Sequence, residues 1–541
     1  MSSTVADVVG QTLATLGVGH CFGVVGSGNF RVTNALRAGG VPFTATRHEA
    51  GAATMADAYA RMSGQVALLS VHQGCGLTNA ATGICEAAKS RTPLVVLAAE
   101  AAGATSNFAM DQPGFAQSLG AIAERVHSGE SAVEDTVRAW RRARDERRTV
   151  VLNLPLNVQA QQATGRPQET EPRPAPIHPT TDAVAALAAL FQQARRPVIV
   201  AGRGARDAGP QLLRLGELTG SLLATSAVAN GLFHGDPYAL GISGGFASPT
   251  AASLISQADL IVGFGCALNM WTMRHGRLIA AGATVVQVDL DGAALGVHRP
   301  IDLGVVGDSA ATADALIARL AGSRGYRSAE VADRIARTGR WNDEPTEDLS
   351  TGDRIDPRTL SRELDALLPA ERIVAIDSGN FMGYPSAYLR VPDEFGFCFT
   401  QAFQSIGLGL ATAIGAALAR PDRLPVLASG DGGFLMSVAE LETAVRLGLP
   451  LLCVIYNDAA YGAEVHHFGP DADLGTVTFP DTDIAAVAAG FGADGLTVSG
   501  TADLRGVTTW LESEPSRPLV VDAKIVSDGG SWWLAEAFKG H

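Results

Sequence analysis

Short continuous runs of Val, Ile and Leu recur along the chain, separated by longer Ala-rich stretches with helical spacing. They fall at residues 66–71, 94–98 and 150–154, at 197–201, 260–264 and 284–288, and at 373–376, 424–428, 451–455 and 519–523. Apolar runs of this length between helices predict strands buried on both faces, and hence parallel sheets covered by helices on each side. Two segments break the pattern. Residues 161–181 gather prolines and charges without periodicity and read as a linker, and residues 341–357 are acidic and polar, just before a fresh helix signal at 358–368. Three blocks result, 1–160, 181–330 and 357–541. Each is predicted to be a doubly wound α/β domain, in which ligands bind beyond the carboxyl ends of the strands.

A chain of 541 residues suits three domains of ordinary size, and 47% apolar residues suffice for their cores. No apolar stretch approaches the length of a membrane span, and the N-terminus lacks a basic region followed by an apolar segment, so a cytoplasmic protein is expected. The six cysteines are scattered, with no paired spacing that suggests zinc or a disulfide framework. A formal charge of −14 argues against nucleic acid as a partner.

The run at 424–428 leads into Ser429-Gly430-Asp431-Gly432-Gly433. A glycine-rich turn opening a helix suits an oxyanion, yet an acid in its middle would repel one. The conflict disappears if Asp431 holds a hard cation that bridges to phosphates, as Mg²⁺ does with few carboxylates. The next run delivers Tyr456-Asn457-Asp458-Ala459-Ala460-Tyr461-Gly462, and Asp458 follows Asp431 by 27 residues, the span of one strand–helix–strand unit. Alone, the first motif also reads as a tight turn and the second as a helix cap. Together they resemble the GDG…N motif of the thiamine diphosphate enzymes, in the branch of acetolactate synthases, pyruvate decarboxylase and benzoylformate decarboxylase.

That resemblance implies a set of roles. Asp431, Asp458 and the Ala460 carbonyl would ligate Mg²⁺, with Asp458 replacing the family's usual Asn. Gly430, Gly432 and Gly433 would lie against the diphosphate, with Tyr461 beside them. Asp377-Ser378-Gly379-Asn380 resembles a second diphosphate loop, and Ile406 stands where the family places an apolar wedge between the cofactor rings. In the first block, Glu49-Ala50-Gly51-Ala52-Ala53 with Ala56-Asp57-Ala58-Tyr59-Ala60-Arg61 resembles the pyrimidine-binding helix. Glu49 would then be the activating glutamate, sharing a proton with the pyrimidine so that the thiazolium carbon can be deprotonated. The same residue also reads as an acid in a helix's first turn. Because the family draws its pyrimidine and diphosphate motifs from different subunits, a homodimer is the minimum assembly implied, commonly doubled to a tetramer.

Further resemblance places Ser27 and His72 as substrate-contacting groups, Gln117 as the acetolactate synthase glutamine, and Glu464 as the decarboxylases' catalytic glutamate. Trp532 and Trp533 read either as a lid over the site or as packing for the C-terminal helix. In the middle block, Gly202-Arg203-Gly204 with Asp289 and Asp291 gives only a partial dinucleotide signal, so FAD is possible but not favoured. The leading expectation is an acetolactate synthase-like carboligase that decarboxylates a 2-keto acid such as pyruvate and adds the resulting enamine to a second carbonyl. The alternative is a 2-keto acid decarboxylase releasing an aldehyde. A non-catalytic regulatory homologue is disfavoured, because Glu49, Asp431 and Asp458 are all acidic.

Overall fold

The computed structural model describes residues 3–167, 172–322, 324–530 and 532–534. Residues 168–171 of the first expected linker and the end of the third block after 534 lie outside them. Among the described residues the chain builds three six-stranded sheets in which every strand pairing is parallel.

The first sheet orders Phe43–Ala45, Cys21–Gly23, Ala67–Val71, Leu94–Glu100, Thr149–Pro155 and Ile122–Arg125. The third orders Phe397–Phe399, Arg372–Ile376, Leu424–Gly430, Leu452–Asn457, Leu519–Lys524 and Asp494–Val498. Counted along the chain, both run 2-1-3-4-6-5. The central sheet, Ala239–Ile242, Leu222–Thr225, Pro197–Ala201, Leu260–Phe264, Thr284–Asp289 and Leu303–Val306, runs 3-2-1-4-5-6, the dinucleotide-fold order. The long apolar runs all form inner strands. The strands without such a run lie mostly towards the sheet edges.

The first and third blocks share one continuous core. Its centre is the pair of helices Glu49–Ser63 and Gly409–Ala419, which pack against each other more extensively than any other pair of helices. Both are rich in Ala and Gly, which lets their backbones approach: a Cβ on Gly415 would stand 2.3 Å from the Met55 carbonyl.

The central block braces this pair from one side. Arg206 donates to the Arg61 carbonyl at 2.9 Å and the Glu394 carbonyl at 2.6 Å, so one guanidinium ties all three blocks. The helix Ala329–Thr338, which straddles the expected end of the central block at 330, turns Val331 and Ile335 onto the central core. Trp533 is buried beneath Gly383, and Trp532 packs tilted against Trp341 with centroids 4.1 Å apart while donating to the Gly245 carbonyl. The two tryptophans pack the domain junction. Among the described residues no helix is long and apolar enough to cross a membrane.

Candidate functional site

In the third sheet the strand order reverses between Arg372–Ile376 and Leu424–Gly430, and a cavity opens beyond their carboxyl ends. Ser378, Gly379 and Asn380 enter it from the first of these strands, and Gly430, Asp431, Gly432 and Gly433 from the second. Asp458, Ala460, Tyr461 and Glu464 close the far side after Leu452–Asn457, and Ile406 reaches in from the loop preceding the helix Gly409–Ala419.

The glycines are a spatial requirement. A Cβ on Gly432 would meet the Tyr461 ring at 2.6 Å, and one on Gly433 would meet the Asp377 carboxylate at 2.5 Å. Ala459 takes a left-handed conformation, φ +57°, held by Asn457 accepting from its N–H at 3.0 Å and by its carbonyl accepting from the Phe479 N–H at 2.8 Å. Strain of this kind persists where the surroundings over-determine it, and here it turns Asp458 and Ala460 together onto the cavity.

Asp431 and Asp458 face each other there. Burial pushes Asp431 up to about 6, and burial followed by the charge of Asp431 pushes Asp458 up to about 7. Two buried carboxylates side by side cannot both ionise cheaply, and a divalent cation removes that conflict. Among the described residues there is no cluster of three or more His, Cys, Asp or Glu side chains able to hold a metal. Two carboxylates beside a backbone carbonyl make a sparse, hard-oxygen donor set, which fits Mg²⁺ with phosphate and water completing its shell.

Asp377 was legible only as part of its loop, yet it organises the floor of the cavity. It is fully buried, accepts from Ser378 N at 2.8 Å, Ser429 Oγ at 2.9 Å and Gly407 N at 3.0 Å, and is pushed up to about 6 by burial. One carboxyl thus joins both diphosphate-loop candidates to the turn carrying Ile406. Its position directly at a strand end, before Ser-Gly, is the signal that could have found it.

The first-block candidates gather at the matching reversal of the first sheet, between Cys21–Gly23 and Ala67–Val71. Ser27 is exposed in the loop after the one strand, and His72 follows the other. His72 Nδ1 accepts from Gly28 N at 3.2 Å, which leaves Nε2 as the ring nitrogen that would face a ligand. Glu49 opens its helix and is nearly buried; its Oε2 accepts from Asn79 Nδ2 at 3.0 Å. A Cβ on Gly76 would lie 3.3 Å from the His72 Cβ and 3.4 Å from Glu49 Oε1, so Glu49 and His72 border the same glycine.

Within one chain this group stays apart from the cavity around Asp431, which no described residue of the first block lines. Gln117 is exposed in the last turn of the helix Gln112–Ser118, whereas Gln112 is buried, accepting from Gly74 N at 3.1 Å and donating to Asn153 Oδ1 at 2.8 Å.

In the central block, the dinucleotide-like turn is packed against its neighbour: Gly204 N donates to the Gly265 carbonyl at 3.1 Å, and a Cβ on Gly202 would stand 2.2 Å from that oxygen. Asp289 and Asp291 are paired with Arg91 of the first block, at 3.7 and 2.8 Å. The glycines and acids that a dinucleotide would need are thus engaged by the protein itself.

Sequence models described as thiamine pyrophosphate enzyme match three stretches: the N-terminal TPP binding domain at residues 3–118, the central domain at 184–316 and the C-terminal TPP binding domain at 377–523. A sulfoacetaldehyde acetyltransferase of Rhodobacter capsulatus is 30% identical, the match covering 86% of this chain and 83% of the relative. A probable 2-ketoarginine decarboxylase of Pseudomonas aeruginosa is 30% identical over 85% of this chain and 83% of its own. An acetolactate synthase of Bacillus subtilis is 27% identical over 96% and 93%.

Proposed function

We propose a function from one premise: the chain belongs to the thiamine pyrophosphate-dependent enzymes. On this reading it decarboxylates a 2-keto acid and, after protonation at the same carbon, releases an aldehyde. The observation that carries this reading is Glu464, an acid lining the same cavity as Asp431 and Asp458. Gln117, whose resemblance favours ligation, is exposed on the first block.

Asp431, Asp458 and the Ala460 carbonyl would hold Mg²⁺. Gly430, Gly432, Gly433, Ser378, Gly379 and Asn380 would receive the diphosphate, Tyr461 would cover it, and Ile406 would separate the rings. When bound, the cofactor supplies an electron sink for the carbon that loses carbon dioxide. Glu49 would hold a proton toward the pyrimidine on Oε1, the oxygen that Asn79 leaves free. Nε2 of His72 and the Ser27 hydroxyl would orient the keto acid's carboxylate, and Glu464 would deliver the proton that completes the aldehyde. Since Glu49 does not reach the cavity of its own chain, a second copy would bring its Glu49 there, so a homodimer is the smallest complete unit and a tetramer its doubling.

A second reading has support in the acetolactate synthase relative, which matches nearly the whole chain. There the fragment passes to a second carbonyl instead of a proton. Incubation with thiamine diphosphate, Mg²⁺ and a panel of 2-keto acids, including pyruvate and 2-ketoarginine, separates the two. Aldehyde and carbon dioxide in equal amounts are expected. Acetolactate as the main product from pyruvate would replace decarboxylation by ligation, and no carbon dioxide from any acid would sink both. Sulfoacetaldehyde, consumed without a keto acid, would point instead to acyl transfer of the kind the Rhodobacter relative is named for.

A further inference from the structure

Two buried glutamates lie outside both candidate groups, and each reaches from its own block into the other. Glu440, in the helix Glu440–Arg446 after the Asp431 turn, is 2% exposed. Its Oε1 accepts from Arg47 N at 3.0 Å and from His48 N at 2.9 Å, the two backbone groups immediately before Glu49. Its Oε2 accepts from Thr443 Oγ at 2.7 Å. The fit leaves no slack, for a Cβ on Gly51 would stand 2.5 Å from Glu440 Oε1.

Glu86 in the helix Ala81–Lys89 does the converse. Its carboxylate accepts from Ala402 N at 3.0 Å and Phe403 N at 2.6 Å, just before the turn that carries Ile406. Both glutamates sit on helices following the third strand of their sheets, and both grip the segment leading into the helix after the second strand of the opposite sheet. The two differ in charge balance. Arg61 and the two backbone N–H groups outweigh burial at Glu86 and hold it below the usual carboxylate range. Among the described residues no buried cation pairs with Glu440, and burial pushes it up.

Resting on the function proposed above, we propose that Glu440 is a positioning residue for Glu49: it fixes the backbone from which the activating carboxyl projects, and it does so from the block that carries the metal loop of the same chain. A backbone held by two hydrogen bonds to one oxygen sets the direction of the next side chain, and misplacement by about 1 Å costs on the order of 10²-fold in a reaction that depends on alignment.

The test uses the full-length protein loaded with thiamine diphosphate and Mg²⁺. Deuterium exchange at the thiazolium carbon is followed by NMR, cofactor affinity by calorimetry and unfolding by Tm. Glu440→Ala is expected to slow exchange about 10²-fold while cofactor affinity changes less than about threefold. Glu440→Gln keeps an acceptor oxygen for both N–H groups and should exchange near the unmodified rate. A residue with a merely structural part would lower Tm and leave exchange alone, and that result overturns the proposal. So does slow exchange in Glu440→Gln, which would assign the effect to charge. If Glu440→Ala yields no folded protein, Glu440→Asp carries the test, since its carboxyl is drawn back one methylene from the two N–H groups and the same slowing is expected. Glu49→Gln is run alongside. Slow exchange there with normal exchange in Glu440→Ala and Glu440→Asp removes only the positioning role, whereas normal exchange in Glu49→Gln removes the activator reading itself.

Discussion

The first and third sheets share one strand order, 2-1-3-4-6-5, and open at the same reversal point, yet they hold different chemistry there. After strand one, the first block presents Ser27 and the third Ser378. After strand three stand His72 and Asp431. Beyond strand two come Glu49 and Ile406. The third block offers hard oxygens and glycine-walled space, suited to a cation and a polyanion. The first offers an imidazole and a buried carboxyl, suited to moving protons. A scaffold repeated within one chain thus says where a ligand binds, while a handful of loop residues says what it is.

The sharpest way to break this division is to exchange the effects of the two halves. Asp431→Ala should remove metal-dependent cofactor binding in calorimetry, by about 10³-fold or more, the scale of removing one partner from a buried charge pair, with circular dichroism unchanged. Glu49→Gln should do the opposite, sparing affinity while slowing thiazolium proton exchange by about 10²–10⁴-fold. If Glu49→Gln abolished binding instead, the split between holding and activating would fail. Glu464→Gln should slow aldehyde release by about 10²-fold at unchanged cofactor affinity, a test of whether the third block also moves a proton.

Asp458→Asn restores the family's usual residue and relieves the carboxylate pair, so its effect on affinity should stay within about tenfold, read in the same calorimeter. The smallest effect belongs to the ion pair that joins the first block to the central one. Arg91→Ala cuts a half-exposed pair and should lower stability by under about 1 kcal/mol in denaturant titration, with no flavin absorbance in the purified protein before or after.

Much of this was legible in the sequence. The inner strands announce themselves because burial on both faces demands uninterrupted Val, Ile and Leu, and the runs at 197–201 and 260–264 coincide with strands to the residue. Cys21–Gly23, Phe43–Ala45 and Phe397–Phe399 left no such trace, being three residues long. Asp494–Val498 escaped for another reason: an edge strand exposed along one side needs no apolar run. The cavity's loops were readable because glycine and acid at a strand end are chemically unusual together. Glu86 and Glu440 were not, since a glutamate on a helix normally faces water, and only tertiary contact reveals that these two satisfy backbone groups more than three hundred residues away in sequence.

The shared core of the outer blocks also shapes how the chain comes into being. The helix Glu49–Ser63 is buried by Gly409–Ala419, and the whole central block is translated between them. At ribosomal speeds of roughly 5–20 residues per second, the side of the helix around Met55, which meets Gly415, stays uncovered for on the order of tens of seconds. Such long-range closure is slow and exposes apolar surface during synthesis. Release of truncated chains before Gly409 is therefore expected to produce aggregates, and the growing polypeptide is a natural client for chaperones that shield a nascent helix.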